Sequence, residues 1–163
     1  MRAKSGFIVL TAVLLTAAAF GAPSRPNLLL IYTDDQGWAD LGVQGVNEHI
    51  RTPHIDRLAR DGVQFPRGYV TAPQCTPSRV AFLTGNYPYR FGLHEHIVMD
   101  RSLNGIPGEV KTIAEKMKEG GYRTAAIGKW HVGAHLESYM PHRQGFDHSF
   151  VCIDGQINYW NHT

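Results

Sequence analysis

The sequence predicts an α/β fold, in which helices flank a sheet. An uninterrupted apolar run at residues 27–33 is typical of a central strand that is covered on both faces. A helical pattern at Thr112–Glu119 is followed directly by a strand pattern at Tyr122–Ile127, which makes a helix-to-strand step. With 163 residues, the chain is long enough for one domain with a core of its own.

The start of the chain has the pattern of a secretory signal peptide. Arg2 and Lys4 precede an apolar run from Phe7 to Phe20, and small residues lie near the end of that run. Because the run is too short for a comfortable membrane span, we expect residues 1–21 to be removed and the protein to be exported, either periplasmic or secreted. Retention of this segment as a membrane anchor is the alternative.

The charge of the mature chain gives no support for nucleic-acid binding. The whole sequence has 16 Lys and Arg against 14 Asp and Glu, and removal of the leader takes away Arg2 and Lys4. The mature net charge is therefore about zero, so any attraction for anions must be local.

Two adjacent carboxylates, Asp34 and Asp35, follow the predicted strand at residues 27–33. Open α/β sheets bind their ligands at the carboxyl ends of strands, and carboxylate oxygens are the ligands that Ca²⁺ and Mg²⁺ require. The pair is therefore a candidate metal site, although two such residues also start turns or cap helices. Farther on, Thr52, Pro53 and a closing Gly62 predict an amphipathic packing helix, with an apolar stripe opposite a charged, solvated face.

A second helix is predicted over Pro77–Thr84, with Thr76 as its N-cap, Gly85 after its end and Cys75 just ahead of it. Unpaired N–H groups and the helix dipole favour an anion or a thiolate at such a helix start. Arg79 in the first turn adds a guanidinium fork that fits a tetrahedral oxyanion. The pattern indicates a nucleophile site for an anionic ester, whereas Cys75 considered alone is more typical of a small buried residue.

The strand at Tyr122–Ile127 leads into a polar segment, Gly128–Gly133, at the same edge of the sheet as the acidic pair. Lys129 is not a P-loop lysine, because the required upstream glycine and following Ser or Thr are missing. Lys129 and His131 considered alone would be a surface pair.

Three segments together resemble the type I sulfatases. The segment Cys75–Arg79 followed by Leu83–Gly85 resembles the signature of that family, Gly128–His131 resembles its second signature, and Asp34–Gly42 resembles its first metal-binding segment. The resemblance implies an alkaline-phosphatase-like fold, with a mixed, largely parallel sheet flanked by helices, that is incomplete in this chain. Residues 22–163 are then the N-terminal part of the catalytic domain.

The resemblance also implies the site. Cys75 is converted after translation to formylglycine, the catalytic aldehyde, and the expected catalytic residues are Cys75, Arg79, Lys129 and His131. The expected metal ligands are Asp34, Asp35 and Cys75, with Ca²⁺ favoured over Mg²⁺. With Cys75 consumed in this way, Cys152 remains alone; a disulfide between the two cysteines is the competing expectation for an exported chain.

The function implied is hydrolysis of a sulfuric ester, either a sulfated carbohydrate or an aryl sulfate. The implied protein partner is a formylglycine-generating enzyme, with no nucleic acid and no stable membrane span. Sulfatases also use later metal and substrate ligands that nothing in this sequence matches, so we expect the 163-residue chain alone to be an inactive fragment. The alternatives are a phosphate or phosphonate ester hydrolase of the same superfamily and a non-catalytic sulfatase-like chain.

Overall fold

The computed structural model describes residues 25–95, 103–158 and 160. The chain divides into two compact units, Met1–Gln36 and Gly37–Thr163. The predicted leader, residues 1–21, lies outside the described residues. In the part of the chain that is described, no helix has both the length and the apolar character that a membrane span requires.

In the first unit, the predicted strand at residues 27–33 does not form, and this prediction was wrong. The segment has neither helix nor strand, and its apolar side chains are exposed, with Leu29 86% accessible. The physical reason is that the hydrogen bonds of a strand come from a neighbouring strand. An apolar run therefore specifies a strand only where a partner lies beside it.

The second unit begins with short 3₁₀ turns and helix α1, Pro53–Asp61, which lies between Thr52 and Gly62 as predicted. Thr52 does not cap the helix with its side chain; its hydroxyl donates to Asp56 Oδ1 at 2.8 Å and accepts from the Gly42 N–H at 2.8 Å. The predicted packing face of α1 is exposed in this structure, since Leu58 is 66% accessible.

Helix α2 spans Cys75–Thr84 and ends at Gly85, whose φ of +67° is the left-handed conformation expected of a terminal glycine. Its start differs from the prediction, because Gln74 is the N-cap and Cys75 is the first helical residue. The side chain of Thr76 makes a tertiary hydrogen bond instead of capping the helix, which lets the helix begin earlier.

Helix α3, Ile113–Glu119, has the capping box that its sequence allows. The Thr112 hydroxyl accepts from the Glu115 N–H at 3.2 Å, and the Glu115 carboxylate accepts from the Thr112 N–H at 2.8 Å. The strand that follows, β1, is Ala125–Lys129, so it ends two residues later than predicted.

Strand β1 pairs in parallel with β2, His148–Cys152, in a register that sets Lys129 opposite Cys152. Among the described residues this is a two-stranded sheet. The core of the unit lies where α2 meets the segment after β1, and its buried apolar members are Val80, Leu83, Leu93, Ile106, Trp130 and Val132. The core therefore holds the first turn of α2 next to the carboxyl end of β1.

Candidate active site

Cys75 occupies the first turn of α2, where backbone N–H groups have no partner within the helix. The residue is partly buried. No disulfide joins it to Cys152, so the competing expectation of a disulfide between the two cysteines was wrong. A thiol at this position lies at the positive end of the helix dipole, which favours negative charge.

Two side chains of α2 attach its first turns to the segment that follows β1. The Thr76 hydroxyl donates to the backbone carbonyl of His131 at 3.1 Å, and Arg79 Nη1 donates to the carbonyl of Lys129 at 2.5 Å. Both donors are buried, with Thr76 at 0% and Arg79 at 7% accessibility. These bonds bring together the two segments that contain the predicted catalytic residues.

Arg79 thus has a structural contact that the sequence did not predict. Sequence reasoning assigned its guanidinium to an oxyanion, whereas one of its nitrogens bonds to the main chain at the end of β1. A guanidinium has five N–H donors, so this bond is compatible with a further role toward an anion. That second role stays a prediction.

Lys129 is the last residue of β1 and is partly buried, whereas His131 is fully buried. The reading of these residues as a surface pair is therefore excluded for His131. Its N–H donates to the Ile153 carbonyl at 3.0 Å, and its φ of +56° lies in the left-handed region. A non-glycine residue in that conformation costs roughly 1–3 kcal/mol and needs surrounding structure to hold it.

Two of the three predicted metal ligands, Asp34 and Asp35, belong to the first unit, and Cys75 belongs to the second. Asp34 and Asp35 are exposed, and Asp35 has a φ of +55°. Within the described residues, Asp35 and His131 are the two non-glycine positions with positive φ, and the sequence had singled out both. Strained backbone of this kind is concentrated at functional sites, and Asp and His tolerate it better than most residues.

The chemistry of the acidic pair fits a hard divalent cation, because both side chains offer carboxylate oxygens. No group of three or more His, Cys, Asp or Glu side chains suited to a metal occurs in the ranges that the structure covers. Two carboxylates are only part of the six to eight oxygens that Ca²⁺ takes. The assignment of Asp34, Asp35 and Cys75 as metal ligands therefore stays a prediction.

Sequence reasoning missed β2 and its contribution to the site. The Cys152 carbonyl, at the end of β2, accepts from the Trp130 N–H at 2.8 Å. The next carbonyl, that of Ile153, accepts from the His131 N–H. The signal that was available is the run Ser149–Cys152, which includes Phe and Val and follows a turn at Gly145.

Comparison of this chain with known proteins finds matches that cover most of its length. The family described as "Sulfatase" matches residues 26–163. Steryl-sulfatase of Mus musculus is 47% identical over 141 residues, which cover 80% of this chain and 22% of the mouse protein. The chain spans between 22% and 29% of the lengths of the first four curated relatives it matches.

Solved structures agree with this result. The crystal structure of Ps i-CgsB matches with a TM-score of 0.78 and 40% identity, over 83% of this chain and 30% of that one. A structure in complex with its substrate D-glucosamine-2-N,6-O-disulfate matches with a TM-score of 0.64 and 29% identity, over 85% of this chain and 24% of that one.

Proposed function

Since this chain belongs to the sulfatase family and has the α/β fold of that alkaline-phosphatase-like group, we propose that the protein containing it hydrolyses sulfuric esters. The observation that carries the proposal is the pair of buried hydrogen bonds that joins the start of α2 to Lys129 and His131. These bonds connect two of the three segments on which the sulfatase resemblance depends. The proposed catalytic residues are Cys75, Arg79, Lys129 and His131.

The proposed roles of the four residues follow from the chemistry of their side chains. Arg79 and Lys129 provide positive charge for a transition state in which negative charge moves onto the leaving oxygen. His131 is the proposed group that accepts or donates a proton, because an imidazole exchanges protons near neutral pH. Hydrogen bonds hold the main chain of His131 in place and burial restricts the ring, and general acid–base catalysis needs such a fixed position.

Cys75 is the proposed source of the nucleophile. Conversion to formylglycine would supply a hydrated aldehyde with two hydroxyls on one carbon. One hydroxyl would attack sulfur and displace the alcohol of the ester; loss of the proton from the other would then form a C=O bond, break the C–O bond to sulfate and restore the aldehyde. The chain's own contribution is the position of residue 75 at the start of α2, where N–H groups and the dipole favour the charge that develops.

The metal proposed for Asp34 and Asp35 is Ca²⁺, with Mg²⁺ as the alternative. A bound divalent cation would polarise a sulfate oxygen and favour an ionised hydroxyl next to it. Both side chains are exposed, so their oxygens are accessible to an ion.

Substrate, maturation and location complete the proposal. Arylsulfatase J and the glucosamine disulfate complex are relatives named for an aryl sulfate and for a sulfated sugar, so we propose a sulfated carbohydrate or an aryl sulfate. A formylglycine-generating enzyme is the proposed maturation partner. The signal-peptide pattern in residues 1–21 supports export to the periplasm or the medium.

The test uses the protein containing this chain, produced with and without a formylglycine-generating enzyme. Sulfate and phosphate esters of one phenol are assayed side by side, and the peptide containing Cys75 is examined by mass spectrometry after alkylation. We expect sulfate release to depend on conversion of Cys75, and we expect Cys152 to remain an alkylatable thiol.

Two variants make the result specific. Cys75→Ala should abolish sulfate release, and Cys152→Ala should retain it, because only the first removes the proposed nucleophile. A preference for the phosphate ester would instead support the related hydrolase, and an unmodified Cys75 with no activity toward either ester would support a non-catalytic protein.

A further inference from the structure

We infer that Gly155 is a positioning residue for His131: the absence of a side chain at position 155 sets where the imidazole lies. A Cβ atom added to Gly155 would lie 2.6 Å from Cε1 and 2.9 Å from Nε2 of His131. Real Cβ atoms essentially never approach other atoms within 3.0 Å, so the ring or the backbone has to shift. The inference relies on the proposed function for its catalytic consequence and on packing alone for its structural one.

The close approach follows from the way the chain leaves β2. Backbone hydrogen bonds join the two segments just past the parallel strands, since the Trp130 N–H donates to the Cys152 carbonyl at 2.8 Å and the His131 N–H donates to the Ile153 carbonyl at 3.0 Å. Two residues after Ile153, the backbone at Gly155 passes close to the Cε1 and Nε2 atoms of the imidazole. The N–H of Gly155 is held in turn by the carboxylate of Asp154, at 2.6 Å.

His131 has little freedom to move away from an added methyl group. The residue is 0% accessible, its carbonyl accepts from Thr76, and its N–H is bound to the chain after β2. Its φ of +56° leaves few alternative backbone conformations. The ring therefore cannot move away into solvent, and an added Cβ forces a shift of the ring or of the backbone at Gly155.

The need for glycine at this position is steric. Gly155 is not among the glycines with positive φ, so its backbone conformation is open to any residue. This separates it from Gly128 and Gly133, where φ is +104° and +133°. An effect of Gly155→Ala is therefore attributable to the contact with His131.

The test compares Gly155→Ala with Gly108→Ala in the protein that contains this chain. Gly108 is an exposed glycine without positive φ, and a Cβ there would meet nothing within 4 Å. The first measurement is the NMR cross-peak of the His131 Cε1–H group. We expect it to move in Gly155→Ala and to stay in place in Gly108→Ala; an unmoved signal in Gly155→Ala overturns the inference.

The second measurement is a double-mutant cycle on unfolding by urea. His131→Gly removes the ring and suits a positive φ. Gly155→Ala should lower the unfolding midpoint when His131 is present and leave it unchanged when His131→Gly is also present. An equal loss in both backgrounds overturns the inference. If Gly155→Ala alone does not fold, a folded double variant supports the inference. A double variant that does not fold, when His131→Gly alone does fold, overturns the inference.

The third measurement is kinetic. A ring displaced by a fraction of an ångström should lower kcat on the order of 10–100-fold and leave KM unchanged, because proton transfer occurs in the transition state. An unchanged kcat overturns the inference. A wild-type protein with no sulfatase activity contradicts the proposed function instead. The cross-peak and the unfolding cycle then test whether Gly155 sets the position of the His131 ring.

Discussion

Arg79 in α2 donates a hydrogen bond of 2.5 Å to the backbone carbonyl of Lys129 at the end of β1. The two residues are far apart in the sequence, and both were predicted to take part in catalysis. This bond, and the neighbouring one from Thr76 to His131, make the start of a helix and the end of a strand into one rigid site.

Replacement of Arg79 by lysine should weaken this connection. A lysine keeps the charge but lacks the planar fork, so we expect it not to reproduce the hydrogen bond from buried Arg79 to the Lys129 carbonyl. We expect Arg79→Lys to lower the free energy of unfolding by about 1–3 kcal/mol and to reduce sulfate release. Urea denaturation measures the first effect and an aryl sulfate assay the second.

Arg60→Lys is the matched control, since Arg60 is exposed on α1. It should change the free energy of unfolding by less than about 0.5 kcal/mol. Equal effects of the two substitutions would show that the contact with Lys129 contributes nothing particular.

The hydroxyl of Thr76 can be removed with its shape retained. Thr76→Val leaves the His131 carbonyl without this buried donor, which should cost about 1–3 kcal/mol of unfolding free energy and lower kcat. Thr76→Ser keeps the hydroxyl and should retain more activity. In Thr84→Val, the hydroxyl removed bonds within the same helix, to Val80 at 2.7 Å, so activity should be unaffected. Similar kcat values for Thr76→Val and Thr84→Val would contradict this account.

Neutralising Asp35 tests the proposed cation site. Asn tolerates a positive φ, so Asp35→Asn removes a charge and leaves the backbone at +55° accessible. We expect Ca²⁺ affinity to fall by about tenfold or more, because affinity depends on the number of charged ligands. Calorimetric titration with Ca²⁺ measures the change, with Asp61→Asn in α1 as the control. Unaltered affinity would remove Asp35 from the metal ligands.

The N-cap of α3 carries a stability prediction. Thr112 is fully buried; its hydroxyl accepts from the Glu115 N–H and donates to the Gln144 carbonyl at 2.6 Å. Thr112→Ala removes both bonds and should cost about 0.5–2 kcal/mol of unfolding free energy. Thr112→Ser should recover most of it, as measured by thermal unfolding. If serine is no better than alanine, the hydroxyl has no role in capping.

The ion pair between Lys118 and Asp147 predicts a dependence of stability on acid. The Lys118 side chain and the Thr124 backbone N–H lower the pKa of Asp147 to about 2, from the usual 3.8. Because the folded pKa is the lower one, the contribution is complete above the unfolded pKa and is lost as pH falls from about 4 to about 2.

Unfolding measured between pH 5 and pH 2 should therefore show a shallower decline in Asp147→Asn than in the wild type, after the variant's lower stability near neutral pH is allowed for. Asp61→Asn, which changes an exposed carboxylate in α1, serves as the comparison. Parallel curves for Asp147→Asn and the wild type would show that Asp147 has no such linkage.

The outcomes for individual elements show where sequence reasoning succeeds. The ends of α1 and α3 were predicted because their signals are local: a Thr before the helix, and a glycine after its end, act within a few residues. The start of α2 was misplaced for a tertiary reason. Thr76 has a side chain that is typical of an N-cap, but its hydroxyl donates to the His131 carbonyl instead. This contact between distant residues cannot be predicted from a local pattern.

The strands were harder to predict because their hydrogen bonds are not local. Residues 27–33 have the composition of a buried strand and are exposed, whereas β2 went unrecognised and forms half of the sheet. The composition of a segment indicates whether it suits a strand, but a strand also needs a neighbouring strand to pair with. That neighbour comes from another part of the chain.

By itself, the sequence determined the family and identified the candidate reactive residues, because the Cys75 and Lys129 segments are specific in their order and spacing. Only the tertiary structure decided which of those residues are buried, that Arg79 and Thr76 connect them, and that Gly155 lies against His131. The reason is one of range: the order of residues along the chain sets reactive groups and local caps, whereas burial and side-chain placement depend on segments that meet only after folding.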